Sequence, residues 1–417
     1  MLTTVPGLMD EIRDQFSLIG TCPVQGKRIF FENAGGALTL KSVVEKSTEY
    51  AALPDNQGRT NSASQHAGQV IVEAKQNVRA FFNAPDGQVI VGESGTELLF
   101  RLIRTACLGT PAGGDVVGST LEHPASRSAC VRWAEIANKT YRSASHNDET
   151  GTVSVDDYLP HISADTRVAT ILHTSPVTGI SVDVAAIAKA IRKVSPECVI
   201  IVDGIQHAAH GGLNIKEYDI DGYVISPYKV FSRHGYGIAW MSDRLANMPH
   251  DTLIGSPDAS WEMGTRDTGA YATFSEVVSY FEWLGGRVSN ATGQRTKIEA
   301  AGRAILAQEK KLVEVMLNGN DDVKGLLDIP GIQIVGGIDN PQREGLVSFA
   351  VKSHESGTIV TGLSEHGIRV HIRKADHYSG NILNPLGLES CIRVSLCHYN
   401  TSQEVIAFLE AMKEIVS

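Results

Sequence analysis

Short, mostly apolar runs closed by polar residues recur along the chain, at residues 89–91, 115–117, 167–173, 199–202 and 223–225. A continuous apolar run of this length is the pattern of a strand buried on both faces, as in a parallel sheet. Stretches with helical spacing lie between them: residues 68–82, a segment opening at Glu93-Ser94-Gly95-Thr96-Glu97, and another after Glu122-His123-Pro124-Ala125. Strands alternating with helices predict an α/β fold. Residues 28–31 predict a further strand, 140–142 an edge strand, and 153–159 the start of a helix. Residues 10–18 predict a short helix that Gly20 stops. A long helical segment, 286–317, leads to a second group of elements: 332–335, 346–351, a helix near 358–366, 368–372 and a last run around 392–396.

Composition adds limits to this picture. A chain of 417 residues exceeds what one hydrophobic core usually supports, so two lobes are expected. The formal charge of -10, with basic residues scattered, argues against a nucleic-acid surface. Six cysteines without close pairing suggest neither a disulfide framework nor a metal site, and point to a reducing compartment. The first residues carry acids where a signal peptide has its apolar core, and no run reaches membrane-span length. The expected location is the cytoplasm, with no membrane partner.

The candidate chemistry lies at the ends of two runs. The run at 199–202 ends in Asp203-Gly204-Ile205-Gln206, and the run at 223–225 ends in Ser226-Pro227-Tyr228-Lys229. In an open α/β sheet, ligands bind beyond the carboxyl ends of the strands, so an acid and an amine face one crevice. Pyridoxal 5'-phosphate (PLP) chemistry needs such a pair: a lysine for the Schiff base and an aspartate for the pyridinium nitrogen. A helix-capping Asp203 and a solvated Lys229 are the plainer reading of the same residues. The pattern resembles the class V, fold-type-I PLP enzymes, and most closely the cysteine desulfurase and selenocysteine lyase branch, whose cores also run strand, Asp-x-x-Gln, strand, Ser-x-x-Lys.

That resemblance implies a large domain over 26–290, with a mostly parallel seven-stranded sheet flanked by helices. It also implies a smaller α+β domain over 291–417, with residues 1–25 packing on it. Lys229, Asp203 and His123 become the catalytic residues, His123 stacking on the cofactor ring as in the family's T-x-E-H-x-A motif. Gln206 and His207 lie along the ring. Ser94, Gly95 and Thr96, at a helix N-terminus suited to phosphate, take the cofactor phosphate together with Ser226, although Ser94 is equally an ordinary helix cap. Ala34 and Gly35 lie beside the substrate carboxylate, or form a plain turn. Arg393, in Ile392-Arg393-Val394-Ser395-Leu396-Cys397-His398-Tyr399-Asn400-Thr401, matches the family's [IV]-R-x-S-x-x-x-Y-N-T signature and anchors the α-carboxylate in a planar two-bond grip. Thr265, in a segment resembling F-E-x-G-T, touches the phosphate of the other subunit, which implies a homodimer. Residues 58–64 resemble a segment that reaches across the dimer.

Three departures stand out. Pro176 occupies the place of an asparagine that contacts the cofactor's phenolic oxygen, leaving Thr174 or Ser175 to compensate. Arg233 and His234 replace a glycine-rich turn and face either substrate or solvent. The loop from His371 to Asn381, which carries the reactive thiol in cysteine desulfurases, has no cysteine, and Cys391 and Cys397 fit packing positions. Chemistry that needs only PLP and Lys229 is left: β-elimination from cysteine or an S-substituted cysteine, a carbon-sulfur β-lyase. Arg373, Lys374, His377 and Tyr378 would suit a larger polar leaving group. Transamination, epimerisation or decarboxylation-linked deamination of an amino acid is the alternative, and a non-catalytic binding module a third reading.

Overall fold

The computed structural model describes residues 2–255 and 260–416. Seven strands form the large sheet: β1 (Gln88–Gly92), β2 (Asp115–Ser119), β3 (Thr140–Ala144), β4 (Thr166–Leu172), β5 (Val199–Asp203), β6 (Gly222–Ile225) and β7 (Gly237–Met241). Their order is β1-β7-β6-β5-β4-β2-β3, and only β7 runs antiparallel to its neighbours. The apolar runs follow from this burial. Along β5, Ile200 and Val202 enter one core while Val199 and Ile201 enter the core on the opposite face. A strand covered on both sides has no polar face to alternate with.

Helices α1 (Gly95–Gly109) and α2 (Pro124–Ile136) follow β1 and β2. The long segment read at 286–317 proves to be two helices. Gly286 lies near the end of α3 (Thr268–Val288), and α4 (Gln294–Asn318) restarts after a break at 289–293. The break contains Ser289, whose hydroxyl donates to the Gly285 carbonyl and caps the end of α3. The break falls in Ser289-Asn290-Ala291-Thr292-Gly293, small and polar residues that carry a loop signal, which the reading of a single long helix ran through.

The second lobe is built on an antiparallel sheet of β8 (Ile332–Val335), β9 (Leu346–Val351), β10 (His371–Lys374) and β11 (Ser390–Ser395), in the order β8-β9-β11-β10. It has its own apolar core, which includes Phe349, Ile392, Phe408 and Met412. The strand expected at 368–372 is divided: Ile368–Arg369 pairs in parallel with Ile29–Phe30, and β10 begins at His371 in the sheet. The amino-terminal helix, Leu8–Gln15, lies across both lobes. Phe16 packs on Phe231 of the large lobe and on Tyr399, while Arg13 pairs with Glu404 of the small one. No helix among the described residues is long and apolar enough to cross a membrane.

Candidate active site

The strand ends of the large sheet converge on one pocket. Thr96, His123, Asp203, Gln206, Ser226 and Lys229 line it, and Pro176 and Tyr228 complete its wall. Lys229 ends a single 3-10 turn, Pro227–Lys229, that follows β6, with its amide on the Ser226 carbonyl at 2.9 Å. Its Nζ donates to Gln206 Oε1 at 3.2 Å. Burial, and next the guanidinium of Arg393, bring the amine down to about 7, so a free base is available near neutrality. Asp203, the last residue of β5, is buried and accepts from the Ile205 amide at 3.0 Å. Burial pushes its carboxyl up to about 6. Behind it, Glu122 is pushed up to about 8 by burial and then by Asp203 itself, so this second acid is held neutral at pH 7.

His123 caps α2. Its Nδ1 accepts from the Ala125 amide at 3.2 Å, which leaves the ring proton on Nε2. Burial, and then Lys229, hold it near 4, so the imidazole is neutral. Ser94 caps α1 by accepting from the Glu97 amide at 3.1 Å, as in the plainer reading, and Gly95 opens that helix. A side chain on Gly95 would place its Cβ 2.5 Å from Ser226 Oγ, so glycine lets the phosphate-type turn close on the Ser226 hydroxyl.

The small lobe packs against this pocket at Pro176. On β11, Arg393 donates to the Pro176 carbonyl at 3.0 Å, while its Nε has no partner. The signature around it holds the turn at Asn33–Gly35. Ser395 Oγ accepts from the Ala34 amide at 2.9 Å, Tyr399 donates to Asn33 Oδ1, and the Asn33 amide group donates to the Ser395 carbonyl at 2.7 Å. Gly35 is thereby set against Arg393: a Cβ there would lie 3.6 Å from Nη2. The β10–β11 register pairs His371 with Arg393 and Arg373 with Cys391, which puts both arginines on one face of the sheet. Neither guanidinium forms an ion pair among the described residues. Burial and then Arg373 bring Arg393 down to about 10. Two cations without an acidic partner on one face of the sheet, both acting on Lys229, favour an anionic ligand there.

The loop after β10 closes over His123. Tyr378 lies 5.8 Å from the His123 ring, Arg127 donates to the His377 carbonyl at 3.0 Å, and Arg373 donates to the buried Ser379 hydroxyl at 2.9 Å. Cys391 is buried with its thiol pushed up to about 11 by burial, which suits packing.

Some expected neighbours stand elsewhere. His207 does not border the pocket; it stacks on His173 at 3.5 Å and pairs with Glu344 at 2.5 Å. Thr174 and Ser175 do not line the pocket: the Thr174 hydroxyl lies 3.3 Å from His207 Nδ1, and the Ser175 hydroxyl accepts from the Val177 and Thr178 amides. Arg233 is paired with Asp267, and His234 stacks on Tyr228 at 4.4 Å. Thr265 is exposed and lines a separate groove with Tyr50, Asp55 and His66. Motif reading assigned no role to Tyr228 or Glu122 and gave no sign of the contact between His210 and Glu309. The first two at least adjoin Lys229 and His123 in the chain.

Residues 29–408 match the sequence model of the family described as Aminotransferase class-V. The chain belongs to the class V aminotransferase family. Class V relatives include the cysteine desulfurase-like protein ustD of Aspergillus flavus, 27% identical over 98% of this chain and 91% of the relative. The aminotransferase-like protein FGM3 of Gibberella zeae is 24% identical over 98% of each chain. Among solved structures, the cysteine desulfurase of Thermococcus onnurineus has a TM-score of 0.82 at 22% identity, covering 99% of this chain and 98% of that one. The cysteine desulfurase CsdA of Escherichia coli has 0.79 at 22%, covering 98% of each. This class V chain is a PLP-dependent enzyme with the fold-type-I architecture. Its pocket fits the cofactor. The Asp203 carboxyl, raised by burial, suits a pyridinium nitrogen, and the tight Gly95–Ser226 approach leaves backbone and hydroxyl groups for a phosphate.

Proposed function

We propose that the enzyme is a carbon-sulfur β-lyase: with water it splits cysteine into hydrogen sulfide, or an S-substituted cysteine into a thiol, together with pyruvate and ammonia. The observation that carries this reading is a buried amine near pKa 7 in a pocket whose covering loop, from His371 to Asn381, has no thiol. Bound PLP supplies an electron sink for the α-carbon. Asp203 would hold the pyridinium nitrogen, and Ser94, Gly95, Thr96 and Ser226 the phosphate. Arg393 would grip the α-carboxylate against Ala34 and Gly35. Lys229 Nζ would take the α-proton, because its depressed pKa leaves it unprotonated at working pH. The neutral His123 would hand its Nε2 proton to the departing sulfur. The unpaired Arg373 favours a leaving group that carries negative charge.

The test is to incubate the purified protein and PLP with L-cysteine, L-cystine and several S-substituted cysteines, assaying pyruvate and alanine together. Pyruvate that disappears in Lys229→Ala is expected. Arg373→Ala should slow an anionic conjugate at least tenfold more than cysteine, and equal effects would remove Arg373 from the reading. Alanine with sulfur transfer would mean that a thiol from elsewhere acts. Neither product, with the cofactor bound, would bring transamination or epimerisation forward.

A further inference from the structure

A line of buried polar groups runs from the pocket to the helix that joins the lobes. Lys229 Nζ is 3.2 Å from Gln206 Oε1, and Gln206 Nε2 is 3.3 Å from His210 Nε2. His210 Nδ1 is 2.9 Å from Glu309 Oε2. Glu309, on α4, is fully buried, and its other oxygen has no partner. The carboxylate accepts only, so Nδ1 of His210 carries a proton. The remaining nitrogen, Nε2, decides the rest. If it is bare, it accepts from the Gln206 amide nitrogen, and the amide oxygen faces Lys229, as placed here. If it is protonated, it donates, and the amide must turn over, presenting its oxygen to His210 and its NH2 to Lys229. Both orientations put atoms in the same positions. An NH2 facing Lys229 can be accepted only by a neutral amine.

We propose that the Gln206 amide is a switch that lets either Lys229 or His210, but not both, be the cation, and that Glu309 biases that charge toward His210. The inference rests on Lys229 being the working amine, and not on which substrate it serves. His210 and Glu309 are thus positioning residues: they keep Lys229 as a free base from behind Gln206. Burial opposes the charge on His210, but Glu309 outweighs it and raises the imidazole to about 9, while the amine falls to about 7. Glu344, from the segment before β9, favours the charge on His210 and Lys229 itself opposes it; Cys397 and His398 stand beside Glu309; and around Lys229 lie Arg393, Arg373 and Asp203. The first two of those three disfavour a charged lysine and the third favours it.

The test uses the full chain freed of cofactor, with the pH dependence of Lys229 acetylation read by peptide mass spectrometry. The paired change H210F/E309L removes a cation and an anion together, so net charge is kept. Lys229 is expected to titrate about one unit higher, because the amide oxygen is then free to face an ammonium. In a Q206L background the same pair should move Lys229 by less than a third of that. An unchanged Lys229 profile in folded H210F/E309L overturns the switch, and so does an equal shift in the Q206L background. Should the pair not fold, the reciprocal measurement decides: histidine NMR of Lys229→Ala should show His210 keeping its proton to higher pH, and an unmoved His210 overturns the proposal. No arm needs turnover, so a failed β-lyase assay and a failed switch are separate results.

Discussion

Asp203 shows how one residue carries opposed demands. Its carboxyl is buried beside a second buried acid, Glu122, with one backbone amide in hydrogen-bond reach among the described residues. The folded pKa of about 6 exceeds the unfolded 3.8. Between those values the folded chain keeps a proton that the unfolded chain has released, so stability falls as pH rises through the window, and the loss persists above it. Two units correspond to roughly 3 kcal/mol. Asp203→Asn should therefore stabilise the cofactor-free protein by about that amount at pH 8, measured by urea unfolding, with the gain gone near pH 4. Added PLP should reverse the order, because only the carboxylate suits a pyridinium. A variant no more stable than the parent at pH 8 would mean that the carboxylate is already satisfied without cofactor.

At the scale of elements, the approach of α3 to α4 is set by Gly285. A Cβ there would overlap the backbone carbonyl of Lys297, which has no room to withdraw. Gly285→Ala should separate the start of α4 from α3 and cost about 1–3 kcal/mol of stability by chemical denaturation. Because α4 also carries Glu309, the same change should disturb the titration of Lys229. Full stability in that variant would show that the helix pair can slide without penalty. The break between these helices is carried by Ser289-Asn290-Ala291-Thr292-Gly293, a loop signal in the chain that the reading of one long helix passed over. The division of 368–374 between two sheets was hidden, because a strand's partners depend on register and not on its own pattern.

For the whole molecule, the two lobes with separate cores place Arg393 and Arg373 opposite the strand ends that hold Lys229. Thr265 lies in an exposed groove away from that pocket. We propose that it serves the pocket of a second subunit in a homodimer. Lys229→Ala and Thr265→Arg chains should each be inactive alone. Refolded together, they should recover about a quarter of full activity, since half of random pairs are mixed and each mixed pair has one intact site. No recovery, or a monomer by sedimentation, would sink the idea.

By itself the sequence determined the α/β class, the two lobes and the chain order of the motifs. It also placed Thr96, His123, Asp203, Gln206, Ser226 and Lys229 at strand ends. These are local properties: an apolar run reports burial on both faces, and the residue after it reports the crevice. Only the tertiary structure decided which distant groups meet. It turned His207 toward Glu344, kept Thr174 and Ser175 off the pocket lining, put Arg373 and Arg393 on one face, and brought Glu309 to His210 from 99 positions away. Those outcomes depend on strand register and on how α4 packs against the segment after β5, and no spacing along the chain encodes either one.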